Sequence, residues 1–416
     1  MGNKLNILLL SRYFPPEIGT SANLFFELAR GLTANGHHVT VVTSFPWYNL
    51  TSIPEKYRSR FYMKEDMDGI EVIRLVFPLV GPRNLKLAVG HLTVPLTTFM
   101  GGLMAVKPDI ICAYSPPIFM GISAWLLKVF KKTPFIFNVQ DLHPQCYIDQ
   151  GILKNRLGIR LLESVERFCY RKAALITVHS AGNKEHIVHA KGIDERKVRV
   201  LNNWIDTDEM KPLPKDNEFQ KRYGLDGKFV VGYAGTLGMS QGALAVIEAA
   251  NILKKREDIK FFIVGDGIEK QKMEDRVIEL GLKNVRFLGM QPKSVYPGVV
   301  ASWDVGLVTL NSKVKTPVVP SKILGIMAAA RPVLASVPLD GDAPKLIEKA
   351  GCGICVGPEN PEELARQIVF LAKHRDACER FGRNGREYAV KNLSLKKIVK
   401  DVEGTIESVL VQTQKP

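Results

Sequence analysis

Two short segments in the second half of the chain could meet a phosphate, one through small residues and the other through a hydroxyl beside an ammonium. Gly235-Thr236-Leu237-Gly238 follows the apolar run 229–234 and precedes a helix expected from about Gln241. Small side chains let a diphosphate approach the backbone, and a helix N-terminus offers it N–H groups and a positive dipole end. Farther on, Ser321 and Lys322 open a helix expected within 317–333 (PVVPSKILGIMAAARPV). Hydroxyl, ammonium and N–H groups can there converge on one phosphate. An ordinary capped helix is the alternative. In the first half, the loop from Ser11 through Gly19 and Thr20 also feeds a helix N-terminus. Asn138-Val139-Gln140-Asp141-Leu142-His143-Pro144 follows another apolar run, at the strand end where open α/β sheets bind ligands. Asp141 is a candidate base or sugar-hydroxyl acceptor, or else a turn cap.

Other chemistries are disfavoured. The first strand–helix turn lacks a G-x-G-x-x-G, and the second strand ends in Thr43-Ser44, where a dinucleotide enzyme places an acid for ribose. Three D-x-D pairs occur, at Asp66–Asp68, Asp206–Asp208 and Asp340–Asp342. Such pairs can hold a divalent ion against a diphosphate. None follows a convincing strand in the sequence, so no metal and no cofactor is expected.

These segments need a scaffold, and the pattern supplies one twice. Strand-like runs at 5–10, 38–43, 70–76, 109–113, 134–139, 174–178 and 197–201 alternate with helical spacing, as in 21–35 and 154–172. A second series follows at 229–234, 260–264, 284–288, 304–309, 332–335 and 353–356. Two βαβ series in 416 residues imply an α/β chain of two Rossmann-like, doubly wound domains. The expected bounds are 1–202 and 203–392, with a final helix in 393–416 that can pack back on the first domain.

The net charge is +15, of which +10 falls in residues 1–205 (25 Lys and Arg against 15 Asp and Glu). A basic half attracts phosphates, nucleic acid or acidic lipid. Residues 87–106 contain no Asp, Glu, Lys or Arg, a length that matches a membrane span. His91, Pro95 and three glycines argue instead for a buried or membrane-leaning helix. In 154–172, Leu157, Leu161, Leu162, Val165, Phe168 and Cys169 gather towards one side against a basic remainder, which suits either a core-packed helix or anionic lipid. The six cysteines, including a lone Cys352–Cys355 pair, fit reduced structural thiols. The N-terminal apolar run, Ile7 to Leu10, is expected to be a strand and not a signal peptide.

Taken together the segments resemble the retaining glycosyltransferases of family 4, which have the GT-B fold. The resemblance runs nearly end to end, through Tyr13-Phe14-Pro15-Pro16-Glu17-Ile18-Gly19-Thr20, Gly36-His37-His38-Val39-Thr40, Asp68-Gly69-Ile70-Glu71-Val72-Ile73-Arg74, Ser115-Pro116-Pro117 and the 138–144 segment. It continues in Asn202-Asn203-Trp204-Ile205-Asp206, Tyr233 to Gly238, Val264-Gly265-Asp266-Gly267, Pro320-Ser321-Lys322 and Met327-Ala328-Ala329. The S-P-P and P-S-K pieces look most like bacterial fucosamine and fucose transferases of O-antigen and capsule assembly. The resemblance implies that Gly235, Thr236, Gly238, Ser321 and Lys322 hold a donor diphosphate, with Arg286 and Phe287 near the base. It also implies that Gly19 and Thr20 face acceptor and diphosphate across an interdomain cleft, and that Asp141 sits beside the reacting sugar, with Gln140 in the sugar pocket.

The chain departs from the family at several positions. Many members carry an Arg and a Lys where this chain reads Thr236 to Gln241, so Lys322 is the main remaining cation of that set. Two glutamates common in the family are replaced by Pro317 and Gly325, and the usual His before Asp141 is Gln140. Because that His is associated with a sugar 6-hydroxyl, its loss suggests a 6-deoxy donor. The expected reaction is retaining transfer of a hexosyl or N-acetyl-(6-deoxy)hexosaminyl unit, with UDP favoured, to a lipid-linked or glycan acceptor. The expected setting is surface polysaccharide synthesis (lipopolysaccharide, O-antigen or capsule). The expected location is cytoplasmic, in peripheral contact with the anionic inner face of the plasma membrane, with no nucleic-acid partner. Alternatives are a UDP-sugar 2-epimerase of the same fold and a basic nucleic-acid or polysaccharide binding protein.

Overall fold

Runs of Val, Ile, Leu and Phe that are apolar on both faces form strands buried between helical layers. The computed structural model describes residues 4–17, 19–46, 52–76 and 83–414, with side chains of 83–92 and 414 excepted. Ile18 of the first loop, and the side chains of the 87–92 part of the charge-free stretch, lie outside the described residues. The chain divides into two compact units, one running to Asn203 and resuming at Leu395, the other Trp204–Ser394.

The first unit holds β1 (Asn6–Leu10), β2 (His38–Ser44), β3 (Tyr62–Met67), β4 (Ile70–Leu75), β5 (Ile110–Ser115), β6 (Phe135–Val139), β7 (Leu175–Val178) and β8 (Val198–Val200). They form one sheet in the order β3-β4-β2-β1-β5-β6-β7-β8. Every pairing is parallel except β3 with β4. The second unit holds β9 (Phe229–Ala234), β10 (Ile259–Val264), β11 (Val285–Leu288), β12 (Val305–Thr309), β13 (Val333–Ser336) and β14 (Gly353–Val356). Its parallel sheet has the order β11-β10-β9-β12-β13-β14. In both sheets the order reverses beside the first strand of the series, the switch point at which such folds open a crevice.

Strand β3 is absent from the expected set. Its residues Tyr62-Met63-Lys64-Glu65-Asp66-Met67 are polar because it is an edge strand, exposed and half-buried by turns. The overlooked signal is Asp68-Gly69, both at positive φ (55° and 79°), which is the chemistry of a tight hairpin turn. The first D-x-D pair therefore straddles the end of a strand, and it serves this turn: Gly69 N–H donates to Asp66 Oδ1 at 3.1 Å.

The charge-free stretch becomes the helix Arg83–Met104, and its glycines explain its depth. A Cβ on Gly101 would stand 2.5 Å from Leu75 Cδ1 and one on Gly102 2.4 Å from Leu127 Cδ1. The helix thus lies directly on the sheet and on the Met120–Lys131 helix. No helix among the described residues is long and apolar enough to cross a membrane.

The Arg156–Lys172 helix buries its apolar side over part of its length only. Glu166, Cys169 and Tyr170 are the buried residues, while Leu157 and Leu161 stand 75% and 66% exposed. Only its C-terminal half meets the fold, where Phe168 packs edge-on to Trp125 at 5.0 Å. Burial pushes the Glu166 carboxyl up, against the opposing pull of Lys191, whose Nζ lies 2.9 Å away.

The last helix, Leu395–Gln414, packs on Thr20–Ala34 within the first unit. Gly31 leaves room for Val399, and Glu403 takes hydrogen bonds from Asn35 (2.7 Å) and His37 (3.1 Å). All six cysteines are free, and burial raises Cys352 to about 12 and Cys355 to about 11.

Candidate active site

In the second unit the loop after β9 is fixed by the loop after β10. Gly235 N–H donates to Val264 O and Leu237 N–H to Asp266 O, each at 2.9 Å. Gly265 carries φ +158°, and a Cβ there would fall 1.9 Å from Gly235 O, so only glycine permits this approach. Two of the four amides of Gly235–Gly238 are therefore committed to the neighbouring loop. The capacity of the segment to receive an anion rests on the alternate amides of Thr236, which is exposed, and Gly238, which is half-buried. The following helix begins at Leu244, later than expected, because Met239–Gln241 first makes a tight 3₁₀ turn.

The helix Ser321–Ala328 starts at Ser321, and Lys322 points from its first turn to Gly235. Lys322 Cε would sit 2.5 Å from a Cβ at Gly235, which has φ +133°. Its Nζ donates to Gln241 Oε1 at 2.5 Å and lies 4.8 Å from the centre of the Tyr233 ring. Tyr233 Oη, with one proton to share, stands 3.1 Å from Thr236 O and 3.3 Å from the same Gln241 oxygen. Taken as a whole the lysine is partly exposed, but its ammonium end is enclosed by these groups. Burial lowers its pKa to about 8. No ion pair compensates it among the described residues, so it remains a cation with neutral neighbours. Such a group favours an anion strongly.

Gly235, Lys322 and the Thr236–Gly238 amides are thus brought together. Arg286 is not joined to them: exposed on edge strand β11, it lies over Tyr223 at 4.8 Å. Phe287 points to the opposite face of that strand, against the core beneath β9 and β10.

The first unit presents a different arrangement. Gly19 precedes the helix Thr20–Ala34 with extended backbone (φ 174°), and its Cα has open space around it. Thr20 is exposed. Thr43 and Ser44 direct their hydroxyls to Arg12 O at 3.3 and 2.9 Å, so they hold the loop after β1. Arg74 supports the same loop from beneath, fully buried, donating to Pro15 O and, at 3.1 Å, to Ser44 O.

At the end of β6, Gln140 is buried and tied both ways. Its Nε2 donates to Asn138 Oδ1 at 2.9 Å, and its Oε1 accepts from Asn203 Nδ2 at 2.8 Å. Asn138 donates in turn to Thr177 Oγ1 at 3.0 Å, while His179 Nε2 lies 2.8 Å from Gln140 O. The side-chain amide of Asn183 stands 3.0 Å from that ring nitrogen. Asp141, next in sequence, is exposed. Its field acts on His143, whose pKa burial lowers against the pull of the carboxylate, and on Cys146, pushed up to about 12 chiefly by burial. The His143 and Tyr147 rings meet edge-on at 4.6 Å.

His179 and Asn183 were missed by sequence reasoning, which marked β7 as a strand without following it into its C-terminal end. By its sequence position Gln241 marks only a helix start. Among the described residues no group of three or more acidic, His or Cys side chains is placed to hold a metal.

Residues 19–204 match the glycosyl transferase 4-like domain, and residues 215–388 match glycosyl transferases group 1. The chain belongs to the GT-B glycosyltransferases. It is 25% identical over 96% of its length to the whole of WcaI of Escherichia coli strain K12, whose name refers to colanic acid biosynthesis. Among solved structures it resembles sucrose-phosphate synthase from Thermosynechococcus elongatus at TM-score 0.79 and 16% identity, over 98% of this chain and all of that one. It also resembles Anabaena Alr3699/HepE in complex with UDP at TM-score 0.72 and 19% identity, over 97% of this chain and all of that one. These likenesses to solved structures concern the fold.

Proposed function

We propose that this glycosyltransferase takes a hexosyl or N-acetyl-(6-deoxy)hexosaminyl unit from a nucleotide sugar, UDP favoured, and passes it with retention to a lipid-linked or glycan acceptor in surface polysaccharide synthesis. The observation that carries the donor assignment is the Lys322 ammonium, enclosed against Gly235 and Tyr233 with only a neutral oxygen to bond. A departing diphosphate is the anion such a group and the adjacent Thr236 and Gly238 amides suit, and they stabilise its developing charge without a metal. Binding of UDP by Alr3699/HepE supports the choice of base, and the WcaI name supports the polysaccharide setting.

In the first unit Asp141 is offered beside the reacting sugar, with Gly19 and Thr20 towards the acceptor. Gln140, already committed to Asn138 and Asn203, is poorly placed to take up a further sugar hydroxyl. That supports the 6-deoxy preference. Peripheral membrane contact is supported by the outer face of Arg83–Met104, where Leu96, Met100, Leu103 and Met104 are exposed at helical spacing. Phe130 and Lys132 lie on the adjoining Met120–Lys131 helix and its C-cap.

Calorimetry with UDP, GDP, ADP and their sugars tests the donor claim. Micromolar binding of one nucleotide series is expected, and no affinity for any of them overturns the assignment. Comparing a 6-deoxy donor with its 6-hydroxy counterpart tests the sugar, and clear preference for the 6-hydroxy form removes that part.

A further inference from the structure

The Lys322 ammonium raises a question that its proposed role leaves open: what keeps a buried cation aimed at one place while leaving its charge available. A lysine has four rotatable bonds, and immobilising it costs side-chain entropy that some partner must offset. The ordinary partner for an enclosed ammonium is a carboxylate, which would fix the group and cancel its field together. Here the partner is Gln241, whose single Oε1 accepts from Lys322 Nζ at 2.5 Å and stands 3.3 Å from Tyr233 Oη. The groups around the ammonium are neutral on every side the structure describes. The Tyr233 ring lies on β9, Gln241 on the turn that follows it, and Gly235 between them, unable to supply a side chain at all.

We infer that Gln241 is a positioning residue for the diphosphate-binding cation: its uncharged oxygen holds the Lys322 ammonium over Gly235 without compensating its charge. This rests on the proposed diphosphate-binding role of Lys322. The choice of amide over acid is what matters. Gln and Glu are nearly the same size, so Gln241→Glu retains the hydrogen bond while placing a negative charge where the diphosphate needs none. A burial-lowered ammonium with a pKa of about 8 is still mainly charged at neutral pH. A carboxylate at 2.5 Å would raise that value and fill the site's positive potential from within.

The test uses the full chain with two probes, UDP and inorganic pyrophosphate, the second carrying the diphosphate without a base. For the unaltered protein, affinity for both is expected to fall as pH rises through 8, because the ammonium loses its proton. Gln241→Glu is expected to weaken both probes at pH 7 by at least tenfold and to move the alkaline fall upward by a pH unit or more. Gln241→Asn, which shortens the reach but stays neutral, is expected to weaken binding several-fold with the alkaline fall unmoved. A residue that only supports the fold would lower the melting temperature and shift none of these pH profiles.

The ligand-free arm separates this inference from the donor assignment. Carbon-13 lysine spectra, with Lys322→Ala to assign the resonance, should show Lys322 titrating near 8 and distinctly higher in Gln241→Glu. If nucleotides fail to bind at all but this titration shift appears, the donor reading falls and the pairing stands. If Gln241→Glu binds both probes as the unaltered protein does, or Lys322 titrates identically in both, the inference is overturned.

Discussion

The two units carry their candidate groups on the same kind of platform, the C-terminal ends of parallel strands beside a switch point, yet they make opposite use of charge. The second unit concentrates one uncompensated ammonium, Lys322, over a glycine loop whose geometry is locked by Gly265. The first unit strings neutral amides and an imidazole together, Asn203 to Gln140 to Asn138 to Thr177 with His179 alongside, and leaves one exposed carboxyl, Asp141, at the end. A fixed cation gives strength towards an anion and little discrimination, whereas a connected amide network gives orientation and little net charge. On the proposed assignment, the difference makes affinity for the donor and selectivity for the sugar separable in this chain.

The sharpest way to break that comparison is Lys322→Ala. A charge-assisted bond to phosphate contributes about 1.5–3 kcal/mol, so nucleotide affinity is expected to fall roughly 10- to 150-fold by calorimetry. An equal loss from Gln140→Ala would show that the two regions are not separate in function. Next in size is Gly235→Ala: the added Cβ meets Lys322 Cε at 2.5 Å on a backbone at φ +133°. About tenfold weaker nucleotide binding is expected, on the order of 1.4 kcal/mol, with a lower melting temperature as well.

A pH series sharpens the same contrast. Lys322 is lowered from 10.5 to about 8 by burial. Nucleotide affinity should therefore be full below pH 8 and decline above it. The ligand-free protein should gain stability between pH 8 and 10.5, where the unfolded chain still holds a proton that the native one has released. A rising slope for the free protein and a flat one for the bound protein, whose lysine keeps its proton as the unfolded chain does, are the expected result in thermal melts, and parallel slopes would detach Lys322 from the ligand. The smallest effect belongs to the amide network. Asn203→Ala leaves Gln140 with one partner fewer, and a loss of about 0.5–1.5 kcal/mol in kcat/KM is expected, with UDP affinity changed less than about threefold.

Much of the fold was legible because strand runs buried on both faces carry a local signature. The six strands of the second unit fall within a residue or two of their expected places, since β-branched runs ended by Gly, Pro and Asp declare themselves without tertiary context. Strand β3 did not, because an edge strand needs no apolar alternation and showed itself only through Asp68-Gly69. The stripe expected in 154–172 is not buried at Leu157 and Leu161, so the core-packed alternative holds for part of the helix only, for a related reason. Helical spacing defines a stripe but not how much of its length finds a neighbour.

By itself the sequence determined which segments are short, small and basic enough to meet a phosphate, and on what kind of strand–turn–helix platform they stand. That information is local, carried by residue type and by spacing of a few positions. Only the tertiary structure decided that Lys322, 87 positions from Gly235 in the chain, is the cation over that glycine, and that Gln241 and Tyr233 are the groups that hold it. It likewise decided that Gln140 is tied to Asn203 and that Arg286 turns to Tyr223. The direction of a side chain and the charge it meets follow from the packing of distant strands and helices, and no periodicity in the chain encodes that.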